Sequence, residues 1–275
     1  MNIRRISIFL IATFMIVLSG KGFLFSETSQ PSDIIRPGCN PEIAYLVQGD
    51  KEIYLDLYLP AGKTPAPVIV YIHGGALISG SRTNMFIDPD LVTSRGYALA
   101  TIDYRLLPEA NYPAQIHDCK AAIRWLRAHA KEYGLNTDKI GVWGESAGGY
   151  LAILLGTTNG NSSFEGNEGN ETFSSRVDAV CDMYGPIIFT GLPNPTDYIS
   201  STTPPFLIMH GKKDTFVPWQ QSETLNRELT SHMIKSELVL FDNADHGHLS
   251  PEILYSVKNM NRVLDFFDKT IREKK

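Results

Sequence analysis

The sequence predicts an α/β fold, in which a mostly parallel central sheet carries helices on both of its faces. Short, nearly continuous apolar runs recur along the chain, as in strands that are covered on both sides. Amphipathic helical patterns lie between these runs, and such alternation is typical of parallel sheets. Residues 31–275 contain no internal repeat and no region that suggests a second domain. We therefore expect a single domain without a large cap.

The elements follow one another along the chain. Two alternating stretches, 42–47 and 52–59, flank Gly49-Asp50 and predict an antiparallel hairpin. Apolar runs predict the remaining strands at 67–72, 97–102, 139–143, 177–184, 205–209 and 236–241. Apolar residues spaced three and four apart predict helices at 113–133, 219–232 and 251–271.

The segment 157–175 differs from the rest, because it consists largely of Gly, Asn, Ser and Glu. Such a composition buries too little apolar surface to offset its ordering entropy. We therefore predict a mobile surface loop there.

Composition excludes several functional classes. The formal net charge of the 275 residues is −5, and few long charge runs occur, so no surface suited to nucleic acid is expected. Cys39, Cys119 and Cys181 are odd in number and widely spaced, which fits neither a disulfide framework nor a metal site. Cys119 and Cys181 are expected to be buried as small apolar residues.

The N-terminus resembles a secretory signal peptide. Arg4 and Arg5 precede the apolar run 6–18, and Ser19-Gly20 follows it. A membrane anchor is the alternative, but the run is shorter than the roughly 20 residues needed to span a bilayer. We predict a signal peptide at 1–26, a secreted or periplasmic protein, and no stable membrane insertion after cleavage.

The stretch Gly144-Glu145-Ser146-Ala147-Gly148 lies between a predicted strand and a predicted helix. A tight turn there presents a serine hydroxyl clear of its own backbone, and the flanking glycines allow close approach of neighbouring chain. We therefore predict Ser146 as a nucleophile. The alternative is that Ser146 only caps the following helix.

A second glycine-rich stretch, His73-Gly74-Gly75-Ala76, follows the predicted strand 67–72. Its backbone N–H groups, with that of Ala147, are suited to stabilise a developing oxyanion. We predict an oxyanion hole formed by Gly74, Gly75, Ala76 and Ala147, the alternative being a simple turn. His73 precedes the serine and is assigned to holding the loop by a side-chain hydrogen bond.

An acid and a base are expected further along the chain. Asp214 follows the predicted strand 205–209, and His246 follows the strand 236–241. Both positions lie at the carboxyl ends of buried strands, where the partners of a nucleophilic serine belong. Asp182 is the alternative acid, and His248 the alternative base.

These motifs resemble the esterase/lipase superfamily of α/β-hydrolases, particularly the hormone-sensitive-lipase-like and feruloyl-esterase-like carboxylesterases. The resemblance covers residues 42–270 and is carried by VYIHGGA, DYRLLPE, GESAGG, HGKKDTFVP and DHGH. It implies the α/β-hydrolase fold, a Ser146–His246–Asp214 triad acting through an acyl-enzyme, and no metal or organic cofactor. Asp245 departs from the family pattern, which commonly has glycine there. The segment 103–105 is expected to brace the sheet and the oxyanion loop.

The implied substrate is a small or polysaccharide-linked ester. Little chain is available for a cap, so we expect an open site for short acyl groups, such as acetyl or feruloyl groups on a plant polysaccharide. A general short-chain carboxylesterase is the alternative; a prolyl-oligopeptidase-type peptidase and a non-catalytic binding protein are others. Four aromatic residues are expected either to stack on the substrate or to belong to the core: Tyr184, Phe189, Phe216 and Trp219.

Overall fold

The computed structural model describes residues 38–62 and 65–272, so the predicted signal peptide lies outside the described residues. The described chain contains a central sheet. Its strands are β1 (Cys39–Gln48), β2 (Lys51–Tyr58), β3 (Ala66–Ile72), β4 (Ala98–Ile102), β5 (Leu135–Glu145), β6 (Ala179–Met183), β7 (Phe206–Gly211) and β8 (Ser236–Phe241).

The strand order across the sheet is β1-β2-β4-β3-β5-β6-β7-β8. Strands β1 and β2 form the predicted antiparallel hairpin, and β2 pairs antiparallel with β4. From β4 to β8 all neighbours are parallel. The carboxyl ends of six parallel strands therefore meet at one edge, where α/β proteins place their sites.

Seven α-helices cover the described part of the sheet. They are α1 (Pro89–Ser94), α2 (Ala114–Ala128), α3 (Ala130–Tyr133), α4 (Ala147–Thr157), α5 (Gln220–Ser231), α6 (Pro251–Leu254) and α7 (Val257–Thr270). Three short 3-10 helices lie at Ser162–Phe164, Pro195–Tyr198 and Gly247–Leu249. Among residues 38–62 and 65–272, no helix combines the length and apolar character needed to cross a membrane.

The hydrophobic core is divided by the sheet into two layers. Along β3, Val68 and Val70 belong to one layer, whereas Ile69 and Tyr71 belong to the other, because successive side chains point to opposite faces. The first layer includes residues of α2 and α4, and the second includes residues of α7. Helices on both faces confirm the predicted α/β-hydrolase fold class.

Two predicted helices are each divided in the structure. The predicted helix 113–133 is interrupted at His129, whose ring stacks on that of Trp125 and whose backbone leaves the helical region. The predicted helix 251–271 is interrupted at Tyr255 and Ser256, where the chain turns and the partly buried Tyr255 packs against the core. The sequence predicts one helix in each case because the helical spacing of apolar residues resumes after the break. Helix α1 was not predicted.

The segment 157–175, for which the sequence predicts a mobile surface loop, is attached to α2 by hydrogen bonds and ion pairs. Glu165 Oε1 lies 3.0 Å from the fully buried Nζ of Lys120 and 2.8 Å from Ser175 Oγ. Arg124 donates to the Glu165 carbonyl at 2.9 Å, and Phe164 is buried. Charged side chains of α2 therefore hold this segment in place, although the segment itself contains almost no apolar residues.

Candidate active site

Ser146 lies on a sharp turn between β5 and α4. Its backbone has φ 51° and ψ −120°, a strained region for a residue with a side chain, and its N–H donates to Met183 O at 2.9 Å. A Cβ on Gly144 would lie 2.1 Å from Gly148 O, so glycine is required for this turn. The Ser146 side chain makes no capping hydrogen bond to α4, which contradicts the alternative helix-cap interpretation.

The structure brings the three predicted triad residues together. Ser146 Oγ lies 3.0 Å from His246 Nε2, and His246 Nδ1 lies 2.7 Å from Asp214 Oδ2. The three residues follow β5, β8 and β7, whose carboxyl ends share one edge of the sheet. The side chain of Asp214 is fully buried and that of His246 nearly so. A carboxylate acceptor at Nδ1 requires a proton there, which leaves Nε2 free to accept a proton from the serine.

Asp214 is held by several donors. Its Oδ1 accepts hydrogen bonds from Phe216 N and Val217 N, both at 2.8 Å. Its Oδ2 accepts from His246 and also from His210 Nε2, at 3.0 Å. Burial alone would raise the pKa of Asp214, but the hydrogen bonds from His210 and His246 outweigh it and hold the pKa below its usual range. Asp214 is therefore a stable carboxylate.

The two alternative residues occupy other positions. Asp182 is fully buried beneath the site and accepts a hydrogen bond from Gly185 N at 2.9 Å. Burial raises the pKa of Asp182 to about 8, which disfavours a carboxylate there. The exposed ring of His248 lies 5.7 Å from that of His246, and it is His246 that contacts Ser146 Oγ.

The predicted oxyanion loop passes directly over the serine. A Cβ on Gly74 would lie 3.2 Å from Ser146 Cβ. Gly75 and Ala76 have positive φ values of 111° and 53°. Within the described residues, the N–H groups of Gly75 and Ala76 donate to no protein acceptor. Donors without a protein partner are what the predicted oxyanion hole requires, and Ala147 likewise lies in the first turn of α4, where N–H groups have no partner within the helix.

His73 has the supporting role predicted for it. Its Nδ1 donates to Gly74 O at 2.6 Å, and its ring stacks on Tyr104 at 4.3 Å between centroids. Burial lowers the pKa of His73, so the ring is held in the neutral form. Tyr104 OH donates to His73 O at 3.0 Å. The neighbouring Asp103 binds Arg82 in an ion pair of 2.8 Å, consistent with the predicted bracing.

A buried polar cluster behind the site was not predicted. Glu145 Oε2 accepts hydrogen bonds from Tyr184 OH at 3.0 Å and from Tyr255 OH. Burial raises the pKa of Glu145, and these hydrogen bonds offset part of that shift. The Tyr184 ring packs edge-on against His246, with 4.6 Å between centroids. The cluster therefore supports the imidazole from behind.

The four aromatic residues considered for the rim separate into two groups. Tyr184 is 2% exposed and belongs to the core, which was one of its two expected roles. Phe189 is partly buried against Tyr150. Phe216 lies 5.3 Å from the His246 ring and remains partly exposed, which places it beside the reacting groups. The ring of Trp219 lies beneath the ammonium group of Lys212, with 5.7 Å between that group and the ring centroid.

Two further residues contact the predicted triad. His210 was visible in the sequence only as the first residue of HGKKDTFVP, and Asp245 only as a departure from the family pattern. In the structure, His210 donates to Asp214, and Asp245 Oδ1 accepts a hydrogen bond from His246 N at 2.7 Å. Their polar character was the available signal, but their partners depend on how β7 and β8 pair.

Several curated proteins with similar sequences are named as esterases or carboxylic ester hydrolases. Esterase LipC of Mycobacterium tuberculosis is 28% identical over 218 residues, which cover 67% of this chain and 53% of LipC. The chain spans about half the length of LipC and of two other curated relatives, LipM and LipQ of the same organism.

Two solved structures have the same fold. The bifunctional GH43-CE protein of Bacteroides eggerthii superposes with a TM-score of 0.76 at 30% identity, covering 86% of this chain and 36% of that one. A truncated carbohydrate esterase from gut microbiota superposes with a TM-score of 0.74 at 26% identity, covering 84% of this chain and 95% of that one.

The BD-FAE family profile matches residues 55–194 and 189–229, which include the oxyanion loop, Ser146 and Asp214. The matched region also includes the strands from β3 to β7. Since the match spans more than half of the sequence and the sheet has the expected order, the chain belongs to the BD-FAE family of α/β-hydrolases.

Proposed function

We propose that this protein is a serine carboxylester hydrolase that acts through an acyl-enzyme. The observation that carries the proposal is the continuous hydrogen-bonded series from Ser146 Oγ to His246 and from His246 to Asp214, at 3.0 and 2.7 Å. Relatives and structural neighbours that are named as esterases support the same activity. The chain supplies each group that the following steps need.

Acylation begins when Ser146 Oγ attacks the carbonyl carbon of the ester. His246 Nε2 takes the hydroxyl proton, and Asp214 stabilises the imidazolium that results. The carbonyl oxygen becomes an oxyanion, which accepts hydrogen bonds from the N–H groups of Gly75, Ala76 and Ala147. When the tetrahedral intermediate collapses, His246 returns the proton to the departing alcohol, and the acyl group stays on Ser146.

Deacylation repeats these steps with water. His246 Nε2 takes a proton from the water as its oxygen attacks the acyl carbon. The second tetrahedral intermediate releases Ser146, which recovers its proton from His246, and the carboxylic acid leaves. The enzyme thus returns to its starting protonation state.

The proposed substrate is a short acyl ester on a hydrated carrier, such as an acetyl or feruloyl group on a plant polysaccharide. The chain between β6 and β7 contains only one 3-10 helix, Pro195–Tyr198, so little structure is available there to cover the site. Ala76 is exposed, and Leu249, three residues after His246, is 47% exposed. An open site accommodates a large alcohol better than a long acyl chain. Likeness to a carbohydrate esterase supports this choice.

The test is kcat/KM on p-nitrophenyl esters from acetate to decanoate, with release of acetate from acetylated xylan and ferulate from methyl ferulate. We expect the highest kcat/KM for p-nitrophenyl acetate. We also expect release of acetate from acetylated xylan or of ferulate from methyl ferulate. Values that rise toward decanoate would contradict the open site. Rapid turnover of p-nitrophenyl acetate without release of acetate from xylan or of ferulate from methyl ferulate would favour the alternative, a general short-chain carboxylesterase. Full activity in Ser146→Ala would contradict the serine mechanism itself.

We also propose that the protein is exported as a secreted or periplasmic enzyme. Support comes from the basic residues Arg4 and Arg5 followed by the apolar run 6–18. Export also agrees with a polymeric substrate, which lies outside the cell.

A further inference from the structure

Asp245 links the loop after β8 to the loop after β7. Its Oδ1 accepts hydrogen bonds from Thr215 N at 2.9 Å and from Thr215 Oγ at 3.1 Å. The same oxygen accepts from His246 N at 2.7 Å. One carboxylate oxygen therefore contacts the residue after Asp214 and the backbone of the neighbouring histidine.

This link lies next to the contact that the reaction needs. Backbone pairing of the two loops continues from the strands to Lys213 N, which donates to Ala244 O at 2.9 Å. Beyond that point the connections are made by side chains, first between Thr215 and Asp245 and then between Asp214 and His246. Thr215 is exposed and Asp245 is partly exposed, so this end of the loop pair has water on one side.

We propose that Asp245 is a positioning residue that holds Asp214 and His246 at hydrogen-bond distance during the proposed ester hydrolysis. A small displacement between reacting groups costs a large factor in rate, because the hydrogen-bonded geometry must persist through the transition state. Glycine, which the family resemblance leads us to expect at this position, provides no side-chain acceptor. The inference rests on the proposed function, since it concerns the same serine, histidine and aspartate.

The experiment compares four variants of the full chain on p-nitrophenyl acetate. Asp245→Ala removes the acceptor, and Asp245→Asn keeps an acceptor oxygen without the charge. Thr215→Val removes only the hydroxyl donor. Asp242→Ala is the matched control, because Asp242 is a carboxylate of the same loop that is 79% exposed and pairs with Lys212.

Active sites are titrated with a fluorophosphonate, so that kcat refers to folded, reactive enzyme. For Asp245→Ala we expect kcat to fall about ten- to a hundredfold with KM nearly unchanged, the scale of a lost hydrogen bond to a charged group. For Thr215→Val we expect kcat to fall less, about two- to tenfold, because the backbone N–H of Thr215 still donates to Asp245. Asp245→Asn should recover most of the activity, and Asp242→Ala should equal the wild type.

A spectroscopic measurement separates positioning from general stability. The proton on His246 Nδ1, bound to Asp214, is expected as a low-field NMR resonance that shifts or broadens in Asp245→Ala and stays in place in Asp242→Ala. The inference is overturned if Asp245→Ala and Thr215→Val keep wild-type kcat per titrated site, or if Asp245→Asn is as impaired as Asp245→Ala. Failure of the proposed function is distinguishable, because the wild type would then show no turnover of p-nitrophenyl acetate, or Ser146→Ala would turn it over at the wild-type rate.

Discussion

His210 Nε2 lies 3.0 Å from Asp214 Oδ2, the oxygen that also contacts His246 Nδ1. His210 Nε2 is 3.1 Å from Val217 O as well, and both neighbours are acceptors, so this nitrogen carries a proton. Ser222 Oγ lies 2.7 Å from His210 Nδ1 and donates to it when the ring is neutral. The buried carboxylate is thus held from two sides by imidazole N–H groups.

Replacing His210 is expected to impair catalysis without removing a reacting group. His210→Phe keeps a ring but loses the donor to Asp214, so we expect kcat to fall about ten- to a hundredfold, the scale of a hydrogen bond to a charged group. His210→Gln provides an amide N–H in nearly the same place and should recover part of the loss. Kinetics on p-nitrophenyl acetate measure both; equal loss in the two variants would contradict the donor role.

Replacing the proposed triad residues tests the chemistry itself. Ser146→Ala and His246→Ala should lower kcat to the background rate, and Asp214→Asn should lower it by about 10⁴-fold through the wrong imidazole tautomer. His248→Ala is the control and should retain turnover. Activity that survives in His246→Ala but not in His248→Ala would reassign the base.

The close approach of β3 and α4 predicts a severe effect at Gly148. A Cβ there would lie 2.1 Å from Ile72 O, so Gly148→Ala should displace the serine turn and strongly lower the free energy of unfolding. Gly160→Ala is the control, because a Cβ there meets nothing within 4 Å and only the positive φ opposes it, at about 1 kcal/mol. Urea unfolding compares the two; equal stability would contradict the steric argument.

The buried carboxyl of Asp182 predicts a pH dependence of stability. Its pKa is raised to about 8 in the folded protein, from 3.8, because of burial, so folding takes up a proton between these values. Stability should therefore fall as the pH rises from about 4 to about 8, by up to about 1.4 kcal/mol per pH unit from this group. Glu145, whose pKa burial also raises, adds a slope of the same sign.

Asp182→Asn removes one of these groups and keeps an acceptor for Gly185 N. We expect urea unfolding between pH 5 and 8 to show a shallower slope in Asp182→Asn than in the wild type. The exposed residue Asp138, changed to Asn, should leave the slope unchanged. Identical slopes in all three proteins would show that Asp182 does not hold its proton.

Export predicts a shortened N-terminus in the native host. Cleavage of a signal peptide of roughly 15 to 30 residues should produce a mature protein that begins between Gly20 and Gln30. Mass spectrometry of the N-terminal peptide measures this. An intact Met1 on a protein recovered from the cytosol would contradict export.

The sheet and the site were predictable because their signals are local. Continuous apolar runs mark the parallel strands, and Ser146 lies between a strand pattern and a helix pattern that are contiguous in sequence. Asp214 and His246 each follow such a run directly. The order of the motifs then associated three residues that lie far apart in the chain.

The features that escaped prediction depend on partners distant in sequence. Lys120 lies on an otherwise ordinary helix pattern, and only the folded chain brings it to Glu165. Tyr184 ends a strand and could have faced either way, and its burial follows from the carboxyl group of Glu145 behind it. Asp245 was notable only as an unusual residue, because its donors belong to a different loop.

Among the strands of the described residues, β8 is the last of the sheet and pairs with β7 alone. An outermost strand with a single neighbour is among the first parts of a sheet to open locally, before global unfolding. His246 is attached to its carboxyl end, so each opening of β8 separates the imidazole from Ser146 while the remaining strands stay paired. Enzymatic activity should therefore disappear at lower denaturant concentration than the circular dichroism of the backbone, and return last during refolding.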